Sequence, residues 1–159
     1  MLPPSAEQRR DWIARIAALP DQLEALVRDL TPAQLNAAPA PNEWSPRQVV
    51  HHLADSHMNA FIRLKIALTE TNPMIRPYDQ VGFALLPDTA EADISPSLAL
   101  LRALHSRWVY VLEHLHEEDW ARTFSHPEYG PQTIATQAES YAEHGENHLC
   151  QIKAALAAN

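Results

Sequence analysis

Four stretches of this sequence repeat apolar residues at intervals of three and four, the period of one helical face. The first, roughly Ser5 to Leu30, carries Trp12, Ile16, Leu19, Leu23, Leu26 and Leu30. The second, roughly Pro46 to Thr69, carries Val49, Val50, Leu53, Phe61, Leu64 and Leu68. Leu98, Leu101, Leu104, Trp108, Leu112 and Leu115 mark the third, roughly Pro96 to His116. Ile134, Ala138, Tyr141, His148, Ile152 and Leu156 mark the fourth, roughly Thr133 to Ala158. Each stripe must be buried, and four long ones in 159 residues bury one another as a four-helix bundle. The expected fold is therefore all-α, one domain over 1–159, with little or no sheet. Ala and Leu far outnumber Val and Ile, and glycine occurs only 3 times, a balance that favours helix.

Helix starts are legible too. Ser45-Pro46-Arg47-Gln48 and Thr31-Pro32-Ala33-Gln34 have the form of a capping box with proline in the first turn, and Ser95-Pro96 opens another helix. Pro20 falls inside the first stripe without changing its phase, which predicts one kinked helix rather than two. The connection from Asn72 to Ile94 exceeds the roughly 2–8 residues usual between bundle helices. It predicts a crossover between the second and third long helices, which are then parallel neighbours, with a short helical turn over Tyr78 to Leu86.

The formal charge of −8 argues against nonspecific nucleic-acid binding and against docking on anionic membranes. No apolar run approaches the ~20 residues of a membrane span. One cysteine, Cys150, excludes an internal disulfide and fits a reducing compartment. Met1 to Ser5 show neither an apolar signal core nor a basic flank, so a cytoplasmic location is expected. The chain has no glycine-rich phosphate loop, no Gly-x-Ser-x-Gly elbow and no Cys-x-x-Cys motif.

Histidine is abundant, with 9 in the chain. His144 and His148, at i and i+4, share one helical face and are spaced as two ligands of one metal ion. Both interrupt an apolar stripe, where an imidazole needs a partner. A metal pair and a pair of satisfied core or interface histidines both meet that need. Gly145, between them, permits close approach of another element. A third ligand must come from another helix, and the second offers His51, His52 and His57. The helical wheel does not choose, and by itself favours His57, nearest the apolar centre. Cys150 points away from the histidine face and reads as a small buried hydrophobe. Glu117, Glu118 and Asp119 read as a solvated helix end, with His114 and His116 facing water.

The run Glu43-Trp44-Ser45-Pro46-Arg47-Gln48-Val49-Val50-His51-His52-Leu53-Ala54-Asp55-Ser56-His57-Met58-Asn59 resembles the DinB/YfiT-like family of metal-dependent enzymes. Ile62-Arg63-Leu64-Lys65, Ile75-Arg76-Pro77-Tyr78-Asp79, His126-Pro127-Glu128 and Tyr141-Ala142-Glu143-His144-Gly145 extend the resemblance along nearly the whole chain. It implies a bundle with one divalent metal ion per subunit, zinc or nickel, held by three histidines. The second histidine of the His-His pair matches a family ligand, which selects His52 over His57, and His144 and His148 match the other two. It also implies a homodimer and a small-molecule substrate. The activity implied is transfer of a low-molecular-weight thiol of bacillithiol type, or hydrolysis. The chain departs from the family in having Glu143 where an aromatic residue usually precedes the first histidine of the last helix, and in a shortened N-terminal segment. Three neutral histidines leave coordination positions open, the pattern of a catalytic site, and such binding weakens as pH falls through the histidine range. Asp55, Glu139 and Glu143 are the carboxylates near enough in sequence to orient ligands or move protons. The competing expectation is a non-catalytic metal-binding stress-response bundle, closed by a fourth protein ligand.

Overall fold

A computed structural model describes residues 3–158. The four expected long helices are present as α1 (Ala6–Val27), α3 (Pro46–Thr69), α6 (Ser95–Glu113) and α7 (Ile134–Ala157), with a short α2 (Pro32–Asn36) after α1. The crossover holds two one-turn helices, α4 (Gln80–Ala84) and α5 (Pro87–Ala90), where a single turn was expected. A 3₁₀ turn (Glu117–Ala121) and an antiparallel hairpin, β1 (Thr123–His126) with β2 (Gly130–Thr133), lead into α7. The periodicity gave no sign of this hairpin, because strands of 4 residues are too short to show alternation.

Capping chemistry sets the helix starts. Ser5, Thr31, Ser45 and Thr133 each accept from the backbone N–H three residues on, and the residue there returns the bond. Thr133 Oγ1 lies 3.0 Å from the Thr136 nitrogen, while Thr133 N–H donates to Thr136 Oγ1 at 2.9 Å. Thr133→Ala is expected to lower the unfolding free energy by about 1 kcal/mol. Urea titration checks this, with a shifted midpoint and an unchanged slope.

Residue pairs fix the helix directions. His51 meets Ser97, His57 meets His105 and Phe61 meets Trp108, so α3 and α6 run parallel. Ala60 meets Gln137, Ser56 meets Tyr141 and His52 meets His144, so α7 runs against α3. His105 meets Ile16 while Arg102 meets Asp21 and Glu24, so α1 runs against α6. α1 and α3 each pack against both α6 and α7. The crossover is pinned onto α3. Arg47 donates to Asn36 and to the Ala92 carbonyl, His51 bonds Ser97 and the Ala92 carbonyl, and Gln48 donates to the Ala84 carbonyl. Its start pairs with β1 through Ile75 N–H to the Ser125 carbonyl and Ser125 N–H to the Pro73 carbonyl.

The apolar core has two parts. One gathers Trp12, Ile16, Phe61, Trp108 and Ala138, and the other Leu19, Leu23, Leu53, Leu101 and Ile152. His57 and His105, 0% and 2% exposed, lie deep within this bundle and are the largest polar side chains so fully enclosed. Cys150 is exposed, contrary to the reading of it as a buried hydrophobe. α7 turns it to the solvent side while Leu149 and Ile152 fill the core. His114 and His116 are exposed as expected.

Candidate metal centre

His52 on α3 and His144 and His148 on α7 bring one ring nitrogen each into a cluster whose members lie within 4.8 Å of one another. His144 Nε2 is 3.1 Å from His148 Nε2 and 3.4 Å from His52 Nε2. Those separations match the spacing of ligand atoms around one ion. Bonds of ~2.0–2.1 Å put nitrogens about 3.3–3.4 Å apart at tetrahedral angles and about 2.8–3.0 Å apart at right angles.

Proton placement explains why the nitrogens face one another. Pro20 has no N–H, so the Ile16 carbonyl four residues earlier lacks its helical donor. His105 Nδ1 lies 2.6 Å from that oxygen. A carbonyl only accepts, so His105 carries its proton on Nδ1 and presents a lone pair at Nε2. That lone pair faces His57 Nδ1 at 2.9 Å, which must therefore carry the His57 proton. His57 Nε2 then accepts from His144 Nδ1 at 3.1 Å. The chain of bonds leaves His144 with a lone pair at Nε2, the atom that points into the cluster. His148 reaches the same state independently, since its Nδ1 donates to Gln151 Oε1 at 2.8 Å. Two lone pairs thus oppose each other at 3.1 Å, an arrangement that repels until a cation sits between them.

Burial keeps these rings neutral. It depresses His52 to about 4, helped by the neighbouring His148, and His144 to about 3, helped by His148 and His52. It holds His57 well below the ordinary histidine value, lowers His105 against the opposing effect of the Ile16 carbonyl, and lowers His148. Neutral imidazole is the form that binds a metal.

The neighbours hold the triad in place. Trp44 packs on His52, ring centroids 4.6 Å apart, and stacks on His148 at 6.5 Å. A Cβ on Gly145 would lie 2.8 Å from Leu19 Cδ2, so α7 comes this close to α1 because residue 145 has no side chain. Sequence reasoning missed Trp44, His105 and Gln151. The freed Ile16 carbonyl, four residues before Pro20, was the available signal for a buried donor.

The wheel placed His57 correctly at the apolar centre, and its role there is to bond His144 rather than to join the cluster. Neither Asp55 nor Glu143 belongs to the cluster. Asp55 is half-buried, and burial raises its carboxyl above the usual range, with Asp88 adding to the effect. Glu139 and Glu143 lie on the exposed side of α7.

A cavity of about 860 Å³ is lined by residues of α3, the crossover, the hairpin and α7. His144 is the one cluster member that lines it, so the cavity reaches the cluster at that residue, and Ser56, Tyr141, Tyr78 and His126 form other parts of its wall. Tyr141 hydroxyl donates to the Ser56 carbonyl at 3.3 Å, and burial raises both tyrosines so that they stay protonated donors.

A parallel-neighbour four-helix bundle with three histidines converging from two helices defines a recognisable class. Residues 15–152 match the model of the DinB superfamily, and the chain belongs to that family. Within it the chain is similar to the YfiT protein of Bacillus subtilis. That structure superposes with a TM-score of 0.92 at 41% identity, over 94% of this chain and 86% of the other. YfiT is described as "a probable metal-dependent hydrolase with an unusual four-helix bundle topology". A protein of Oceanobacillus iheyensis named "Putative metal-dependent hydrolase" is 48% identical over 142 residues, 89% of this chain and 82% of the relative. One of the same name from Bacillus pumilus is 45% identical over 148 residues, 92% of this chain and 83% of the relative.

Proposed function

We propose that the chain is a metal-dependent enzyme in which His52, His144 and His148 hold one divalent ion, zinc or nickel, at the end of the cavity. The observation that carries this reading is the pair of Nε2 atoms opposed at 3.1 Å, which the hydrogen bonds at their Nδ1 atoms leave unprotonated, with His52 Nε2 completing a three-sided cluster. The donor set is three imidazoles, and among the described residues no fourth His, Cys, Asp or Glu joins it. That supports an open catalytic position over a closed storage site. Such an ion lowers the pKa of a water or thiol at its open position, which supplies a nucleophile near neutral pH. The chain's own groups orient the rest. Trp44 shields the cluster on one side, and Tyr141 lines the approach with its hydroxyl proton directed to the Ser56 carbonyl. The substrate is a small molecule, and the co-substrate is water or a low-molecular-weight thiol of bacillithiol type.

Metal analysis of the purified protein tests the first half, with one equivalent of zinc or nickel per chain expected. Thiol consumption with a common electrophile, run beside ester hydrolysis on the same sample, separates transferase from hydrolase. A protein that binds no divalent ion overturns the reading.

The depressed histidines set the pH dependence. Their folded values lie below the unfolded value of about 6.5, so between roughly pH 6.5 and pH 4 the unfolded chain binds more protons than the folded one. Stability of the metal-free protein is therefore expected to fall as pH drops through that window and to be level above it. The slope from each such histidine is about 1.4 kcal/mol per pH unit. Metal is expected to stay bound to about pH 5, below the ordinary histidine range, because protons compete weakly for buried rings. Thermal melts and metal retention across pH 4–8 check both.

We also propose a homodimer. Val81, Leu85 and Leu86 in and beside α4 are 56%, 71% and 49% exposed, apolar surface that a second copy would cover. Light scattering at micromolar concentration is expected to give twice the mass of 17.9 kDa.

A further inference from the structure

Arg63 on α3 lines the same cavity, and its Nε is the one buried side-chain nitrogen or oxygen among the described residues with no hydrogen-bond partner. A terminal nitrogen of the same guanidinium donates only weakly, to the Arg76 carbonyl at 3.4 Å. Every ion pair among the described residues uses Arg9, Arg15, Arg28 or Arg102 instead. A guanidinium is always charged, and burying part of it without an acceptor is costly. Its charge reaches the cavity walls, where it acts on Tyr78, Tyr141 and His126.

The sequence aligns this group with the metal centre. His52, Ser56 and Arg63 are spaced at i, i+4 and i+11, within about 40° of one another on the helical wheel. His52 and Arg63 are about 16 Å apart along the helix axis. One face of α3 therefore carries a metal-ligating group toward one end and an unsatisfied anion receptor toward the other.

We infer that Arg63 is the specificity group for a carboxylate at the remote end of the substrate or co-substrate, held by its guanidinium while the reacting atom lies at the histidine cluster. The reading of the cluster as the reaction centre comes from the function proposed above. The carboxylate subsite stands on Arg63 alone. The charge balance favours a monoanion over a phosphate dianion, because Asp79 and Glu128 line the same cavity and no glycine-rich loop adds backbone donors. Asp79 is turned to α4, where its Oδ1 accepts from Val81 N–H at 3.1 Å and Gly82 N–H at 2.9 Å as the helix cap. Glu128 is exposed in the hairpin turn. Phe124, Tyr129 and Tyr141 also line the cavity and suit an apolar or aromatic spacer.

The test is a ¹⁵N–¹H titration of the metal-free full chain, following the Arg63 Nε–H resonance. The probes are 4-phenylbutyrate, 4-phenylbutan-1-ol and phenyl phosphate. The acid is expected to shift that resonance and to bind at least about 10-fold more tightly than the alcohol, as a charge-assisted paired contact should. Arg63→Gln is expected to abolish the preference, with the helical spectrum unchanged, and Arg63→Lys to keep part of it. Equal binding of acid and alcohol, or an unmoved Arg63 resonance, overturns the proposal. Tighter binding of phenyl phosphate than of the acid overturns the carboxylate assignment. A shift of the Arg63 resonance in Glu128→Gln with no ligand present shows Glu128 to be its partner, and also overturns it. Because the titration uses no metal, failure of the metal reading and failure of the carboxylate subsite give separate results.

Discussion

His52→Ala, His144→Ala and His148→Ala are each expected to weaken divalent-metal binding by about 100-fold or more. The magnitude follows from apparent metal affinities of roughly 10–16 kcal/mol shared over four ligands, about 3 kcal/mol for each. The three cluster nitrogens have no substitute nearby, since among the described residues no other group of metal-binding side chains forms. Metal analysis after dialysis against submicromolar zinc is expected to find about one equivalent in the parent protein and little in any of the three variants. His114→Ala and His116→Ala, both exposed, are expected to retain full metal. The decisive comparison is between His52 and His57. Full metal in His52→Ala with none in His57→Ala would transfer the third ligand role to His57 and sink the cluster described here.

His57→Phe is expected to leave stoichiometry at one ion per chain under saturating metal, and to weaken binding about 10–100-fold, the usual consequence of losing a group that orients a ligand. An aromatic ring, somewhat larger than imidazole, is kept while both hydrogen bonds are lost. His105 Nε2 and His144 Nδ1 then have no partner in a buried setting, at about 1–3 kcal/mol for each. Stability of the metal-free protein is expected to fall by about 2–6 kcal/mol. A tautomer readout separates positioning from simple loss of packing. In the parent protein the ring nitrogens of His144 are expected to show the proton on Nδ1. In His57→Phe the proton is free to move to Nε2, which removes the lone pair from the cluster. His105→Phe is expected to do the same more weakly, because it removes the carbonyl anchor and leaves the direct His57–His144 bond. A His57→Phe protein with unchanged metal affinity and an unchanged His144 tautomer would show the histidine chain to be packing only.

The division between what was legible and what was not follows from the range of the forces involved. The number of long helices, their extents to within a few residues and their caps are local properties. An apolar stripe at 3.6-residue period and a side-chain oxygen three residues before a free N–H depend only on neighbours along the chain. α3 therefore starts and ends where periodicity placed it, Pro46–Thr69, and α1 continues through Pro20. The parallel placing of α3 beside α6 was legible as well, since 23 residues from Asn72 to Ile94 are enough to return the chain to the same end of the bundle. The shared face of His144 and His148 was fixed by spacing alone.

The third member of the cluster was a different kind of question. His52 and His57 sit on the same helix, and their hydrophobic surroundings by sequence favour the wrong one for the cluster. Which ring meets His144 Nε2 depends on the rotation of α3 against α7 and on what fills the centre between α3 and α6. There the ring of His105 stacks on His57 at 4.9 Å and ties it into the core. The protonation of that chain is settled by a carbonyl on a third helix, freed by a proline whose only visible sequence effect was a kink. The orphaned Arg63 Nε is equally invisible in one dimension, because the absence of an acceptor is a property of everything that packs around it. Periodicity and capping act through bonds and neighbours a few residues away, so the sequence alone determined the helices. Tautomers, ligand sets and unsatisfied charges are sums over groups brought together from four helices and a hairpin, so only the tertiary structure decided them.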